Sequence, residues 1–398
     1  MNTIQWTRRN LLKASAALPL LAQGQQRIDS VKAWAMPLLP TARFGTAEFK
    51  GDQDPARYRW YGPFSQLSGS ILVEIKTSGG LTGYGLGGGG SAAVHIIDNH
   101  LRDLLLKADP ANIEALWEQL YSSSLFYGRK GLAIHAISGI DLALWDLAGK
   151  TANLPVYKLL GGATKDKVPV YLTSRNVDFG LKQGIKAFKL PIDSTPHQGK
   201  DGMRKAVAEI EAARKSIGPD TELMIDVLCR WDVPYTLDMV DRLAPSRLMF
   251  IEEPLSPDDM AGYAQLCSEV KSTRIASGEH EYTRYGFENL IARKAAHILQ
   301  PDITWSGGLT ELRKIAALAS AHQLPMIPHR GGSVYGLHLI LATAHCNLAE
   351  SFGVGEQGNE IMQTMSPRFA DGFLYPSAKP GFGVEITAAM IKKYATKA

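Results

Sequence analysis

From about residue 165 the chain repeats one pattern: a short apolar run, a polar residue that closes it, then a longer segment with helical spacing. The runs are GIKAFKL, TELMIDV, RLMFIEE, TRIASGE, HILQPD, LPMIPH and CNLAES. From the second onward they close on Asp226, Glu252, Glu279, Asp302, His329 and Glu350, at intervals of 21 to 27 residues. That interval is the length of one strand and one helix, and strands alternating with helices imply a parallel sheet. Seven or eight such units predict a (β/α) barrel; an open doubly wound sheet is the alternative.

The front of the chain follows another grammar. SGSILVEIKTSGGLTGYGL (68–86) reads as a hairpin turning at Gly-Gly. From about 92 to 150 the period is helical, with Ile134, Ile137, Ile140, Leu144 and Leu147 at spacings of three and four. Residues 39–64, rich in Gly, Pro, Arg and aromatics and without a clear period, read as a long loop of the kind that often acts as a lid. The expected organisation is an α+β domain over 28–158 and a barrel over 159–364.

A barrel explains why each run ends in a polar residue, because the C-terminal ends of its strands share the face on which sites are built. In FIEEP, side chains of successive strand residues point to opposite faces. Glu252 is therefore expected to point into the mouth and Glu253 outward, into a structural pair behind the barrel. Asp226 and Glu279 arrive from the flanking strands. Three carboxylates meeting there would repel unless a divalent cation neutralised them, and all-oxygen donors favour a hard ion, Mg²⁺ before Ca²⁺. His329 and Asp302 on neighbouring strands have the order of a base and its orienter. GLGGGG (85–90) satisfies the G-x-G-x-x-G spacing, but its strand belongs to a hairpin rather than a βαβ unit, so a dinucleotide site is rejected.

Composition adds little to the barrel and more to the N-terminus. The net charge of +4 is carried in part by Arg8, Arg9 and Lys13, and the near-neutral remainder argues against nucleic acid. Three cysteines are too few and too scattered for a disulfide framework or a zinc site. TRRNLLKASAALPLLAQ (7–23) sets paired arginines before a short apolar segment, which predicts a twin-arginine-type export signal over 1–27 and a periplasmic protein. No other stretch reads as apolar enough for a membrane helix.

The Asp/Glu/Glu set on consecutive strands, FIEEP, DLALWDLAGK (141–150), LPVYKLLGG (154–162) and the Asp then His on the next two strands resemble the enolase superfamily, mandelate racemase/muconate lactonizing enzyme branch. KLP (189–191), SGEHE (277–281), QPDITWSGGLTE (300–311) and IPHRGGSVYG (327–336) look most like its L-rhamnonate dehydratase-type acid-sugar dehydratases. The resemblance implies a capping domain over the barrel mouth, completed by about 365–398. It implies removal of the proton α to a Mg²⁺-chelated carboxylate, then loss of the β-hydroxyl to give a 2-keto-3-deoxy acid. Asp226, Glu252 and Glu279 would hold the metal, and His329, oriented by Asp302, would be the base. Many relatives carry Lys-x-Lys at the second strand; here the second place is Pro191. Lys189 is then expected to neutralise the substrate carboxylate, with His280 and Glu350 hydrogen-bonding substrate, Glu350 in its protonated form. The expected partners are an acid-sugar substrate and further copies of the chain, with no nucleic acid and no stable membrane insertion. A racemase or epimerase, a cycloisomerase, or an exported sugar-acid binding protein without turnover are the alternatives.

Overall fold

The computed structural model describes residues 26–36, 69–353 and 359–395. The export segment up to residue 25 and the front loop 39–64 lie outside the described residues.

Strands β1 (Ile28–Met36), β2 (Ser70–Thr77) and β3 (Thr82–Gly87) form an antiparallel sheet in that order, with the hairpin turn at Ser78–Leu81. The helix Leu132–Ala152 packs on it, and Ile134, Ile137, Ile140, Leu144 and Leu147 join Ile71, Val73 and Ile75 in one apolar cluster. This helix corrects the reading that no segment past the leader could cross a membrane. Its 21 residues are long and apolar enough, but they are spent on the core of the capping domain, where most of the helix is buried.

The glycines of β3 explain how sheet and helix come so close. A Cβ at Gly83, Gly85 or Gly87 would overlap the carbonyl oxygens of Ala143, Gly139 and His135, successive turns of that helix. The GLGGGG run thus begins as a packing surface on an antiparallel strand. Gly85→Ala is expected to destabilise the protein by about 3 kcal/mol, at the upper end of ordinary overpacking because backbone cannot rotate away. Urea unfolding of the two chains measures it, and a difference below about 1 kcal/mol would contradict the packing role.

The second domain is a closed (β/α)8 barrel. Strands β4 (Val168–Thr173), β5 (Ala187–Pro191), β6 (Glu222–Asp226), β7 (Phe250–Glu252), β8 (Arg274–Ser277) and β9 (Ile298–Leu299) pair in parallel, each with the next. A bridge from Leu299 to Met326 marks the seventh position, and β10 (Ala349–Ser351) pairs with β4 to close the ring. That closure rules out the open sheet. The first strand, VPVYLT, escaped the run of polar closers because it ends in an uncharged threonine.

Alternation along each strand builds the site. One buried layer fills the barrel: Tyr171, Ala187, Met224, Phe250, Ala276, Ile298 and Ile327, with Leu348 packed against them. Two residues further along each strand, on the same face, stand Thr173, Lys189, Asp226, Glu252, Gly278, Gln300, His329 and Glu350. Outward residues such as Phe188, Leu190, Ile225, Ile251 and Ile275 belong to the core shared with the surrounding helices. The hairpin of β11 (Arg368–Ala370) and β12 (Phe373–Tyr375) extends the barrel sheet beside β4 rather than the cap. The chain then meets the capping helix, where Phe382 N donates to Asp146 Oδ1 at 2.9 Å.

Candidate active site

The mouth layer brings Asp226, Glu252 and Glu279 together, with one oxygen from each lying within 4.8 Å of the others. Asp226 and Glu252 close their strands. Glu279 lies two residues past β8, carried inward by a turn at Gly278 with φ 126°. No side chain could sit there, since a Cβ would press on the Phe287 ring. All three carboxylates are buried. Burial pushes Glu252 well above the carboxylate range against the opposing pull of Lys189, with the neighbouring acids adding to the rise, and burial above all lifts Asp226 to about 7. Carboxylates that resist ionisation this way are suited to a cation that restores the charge. The donor set fits a hard divalent ion.

Lys189 is buried among these acids. Its ammonium bonds Glu252, lies 2.8 Å from Glu350 Oε1 and 3.7 Å from Asp226 Oδ2. Burial would lower its pKa, but Glu252 and Glu350 hold it well above the usual value. Gln300 Nε2 donates to the other oxygen of Glu252. Glu350 accepts from Lys189, from Thr173 Oγ1 at 2.6 Å and from Arg330 N at 2.9 Å. Burial opposes its charge, but Lys189, His329 and these bonds bring its pKa down to about 2. Glu350 is thus an ionised acceptor, the opposite of the protonated donor expected.

His329 Nδ1 lies 2.7 Å from Asp302 Oδ2, whose other oxygen accepts from Thr304 N and Thr304 Oγ1, both at 2.6 Å. His329 Nε2 is left facing Glu279 Oε2 at 3.7 Å and Glu350 Oε2 at 3.8 Å. Burial works against an imidazolium here, yet Glu279, Glu350 and Asp302 raise the His329 pKa above its ordinary value. The Trp305 ring lies 5.2 Å from His329, 5.7 Å from His280 and 5.6 Å from His135 of the capping helix, so it forms a wall where the two domains meet.

Glu253 departs from the expectation. Its backbone turns left-handed (φ 42°), which breaks strand alternation and keeps the side chain at the mouth. It is buried, with Oε2 2.8 Å from His280 Nδ1 and 3.1 Å from Cys229 Sγ. His280 therefore bonds a glutamate behind the trio, although its ring lies beside the site wall.

Two family models match the chain. The mandelate racemase/muconate lactonizing enzyme N-terminal domain covers residues 65–161, and the enolase C-terminal domain-like model covers 175–390. The chain belongs to the mandelate racemase/muconate lactonizing enzyme family of the enolase superfamily. Within this family it is 39% identical over 329 residues to a Caldivirga maquilingensis protein provisionally assigned as an L-rhamnonate dehydratase, covering 81% of this chain and 82% of that protein. It is 36% identical over 325 residues to L-rhamnonate dehydratase of Saccharopolyspora erythraea, covering 80% and 83%. The crystal structure of rhamnonate dehydratase from Gibberella zeae complexed with Mg superposes with a TM-score of 0.83 at 32% identity, covering 94% of this chain and 97% of that one.

Sequence reasoning missed Thr173, Gln300, Trp305 and His135. Thr173 and Gln300 are uncharged, and their inward phase emerges once the apolar layer of the barrel is known. Trp305 follows Asp302 so closely that its place at the site was within reach.

Proposed function

We propose that this hydro-lyase of the enolase superfamily is a Mg²⁺-dependent acid-sugar dehydratase that acts on L-rhamnonate or a close relative. Asp226, Glu252 and Glu279 would hold the ion, which supplies Lewis-acid stabilisation of the negative charge developing on the substrate carboxylate. The observation that carries the reading is the His329–Asp302 pair beside the carboxylate trio. The bond to Asp302 leaves the proton on Nδ1 and the lone pair on Nε2, so Nε2 takes the proton α to the carboxylate. The imidazolium so formed then donates to the departing β-hydroxyl, and one residue serves both steps of a syn elimination. Lys189 offsets the negative charge gathered at the mouth. Trp305 and the capping domain restrict water around the histidine.

A racemase working by two bases would need a second acid/base group on the opposite face of the α-carbon. Where many relatives carry the second lysine of Lys-x-Lys, strand β5 ends in Pro191, whose ring can neither take nor give a proton. Full-length protein incubated with a panel of acid sugars and Mg²⁺ in D₂O is expected to form a 2-keto-3-deoxy acid, and recovered substrate should keep its configuration. Accumulation of an α-epimer without keto acid would falsify the dehydratase reading.

A further inference from the structure

The three strand ends that supply Asp226, Glu252 and Glu279 each supply a second donor of another kind. Cys229 lies three residues past Asp226, Glu253 directly follows Glu252, and His280 directly follows Glu279. One donor atom from each of Cys229, Glu253 and His280 lies within 4.8 Å of the others. We propose that these three residues form a second divalent-cation site, selective for a borderline-soft ion of the Zn²⁺ class, alongside the all-oxygen trio.

The donor chemistry separates the two sites. Imidazole nitrogen, thiolate and carboxylate are the ligand types of zinc, whereas Mg²⁺ takes oxygen alone. Three protein ligands with a fourth position open is the arrangement of accessible rather than purely structural zinc centres. The backbone is bent toward this grouping. Leu228, Cys229 and Glu253 all take left-handed φ values of 52°, 57° and 42°, a backbone conformation unfavourable for non-glycine residues. Glu253 Oε2 lies beside Cys229 and His280, and its Oε1 is buried with no hydrogen-bond partner among the described residues, so this carboxylate has an oxygen to spare for a further ligand.

Binding at Cys229, Glu253 and His280 is an exchange: the Sγ proton and the Nδ1 proton are released to solvent as the cation takes their place beside the Glu253 carboxylate.

The test is titration of chelator-treated full-length protein with Co²⁺ in excess Mg²⁺, following near-ultraviolet thiolate-to-cobalt charge-transfer absorption and bound cobalt per chain. Wild type should bind one Co²⁺ per chain with a sulfur band. Cys229→Ser should lose the band and bind at least about tenfold more weakly, since even outer partners of metal ligands are worth about 10–100-fold. Asp226→Asn should keep the band, which separates this site from the Mg²⁺ trio. Absence of the band in wild type, or its survival in Cys229→Ser, would overturn the proposal without touching the dehydratase reading.

Discussion

His329→Asn should abolish both elimination and exchange of the substrate's α-proton with solvent, while leaving Mg²⁺ binding in place. One imidazole serves as base and then as acid, and a positioned group contributes about 10²–10⁴-fold to a single proton transfer. Loss of both roles is therefore expected to lower kcat by about 10⁴-fold or more, with little change in the metal-binding isotherm. Asp302→Asn should show a related but smaller defect. It keeps a polar group 2.7 Å from Nδ1 but no longer forces the proton onto that nitrogen, so a fraction of the histidine presents the wrong face. Deuterium incorporation at the α-carbon separates the two steps. An His329→Asn chain that still exchanged the α-proton at the wild-type rate would move the base to another residue.

The barrel and most of its mouth could be read in the chain because closed parallel strands impose one rule on eight places. Each inward residue of the apolar layer is followed two positions later by an inward residue at the mouth. Where that rule holds, as at Lys189, Asp226, Glu252, His329 and Glu350, the site was visible in polar residues closing apolar runs. Where the backbone leaves the extended region, it was not. Gly278 turns the chain so that Glu279 reaches inward despite its phase, and its charge alone gave it away. Glu253 stays at the mouth through its left-handed φ, against the alternation that assigned it to the outside. Glu350's charge state also lay beyond local pattern, since Lys189, Thr173 and the Arg330 amide converge on it from three separate segments. The approach of His135 to Trp305 joins two domains and carries no periodic signature.

Asp226→Asn is expected to eliminate Mg²⁺ binding and, above about pH 7, to make the metal-free protein more stable than wild type. Burial is the main reason the Asp226 carboxyl is lifted from 3.8 to about 7, so the folded chain holds this proton more tightly than the unfolded one. The stabilisation that results is fully present below about pH 4 and is lost as pH rises through about 7. Each tenfold difference in proton affinity between the folded and unfolded chain is worth about 1.4 kcal/mol. The metal-free wild type should therefore lose a few kcal/mol across that window from this group, and a neutral asparagine should not. Mg²⁺ reverses the order above pH 7. At 100 times its dissociation constant it stabilises wild type by about 2.7 kcal/mol and the variant not at all. Thermal denaturation from pH 4 to 9, with chelator or with Mg²⁺, resolves both effects. Glu253→Gln provides the contrast, because its side chain faces His280 and Cys229 and the Mg²⁺-induced stabilisation should survive. A wild-type response to Mg²⁺ in Asp226→Asn, or loss of that response in Glu253→Gln, would show that the hard ion is not held by the trio of Asp226, Glu252 and Glu279.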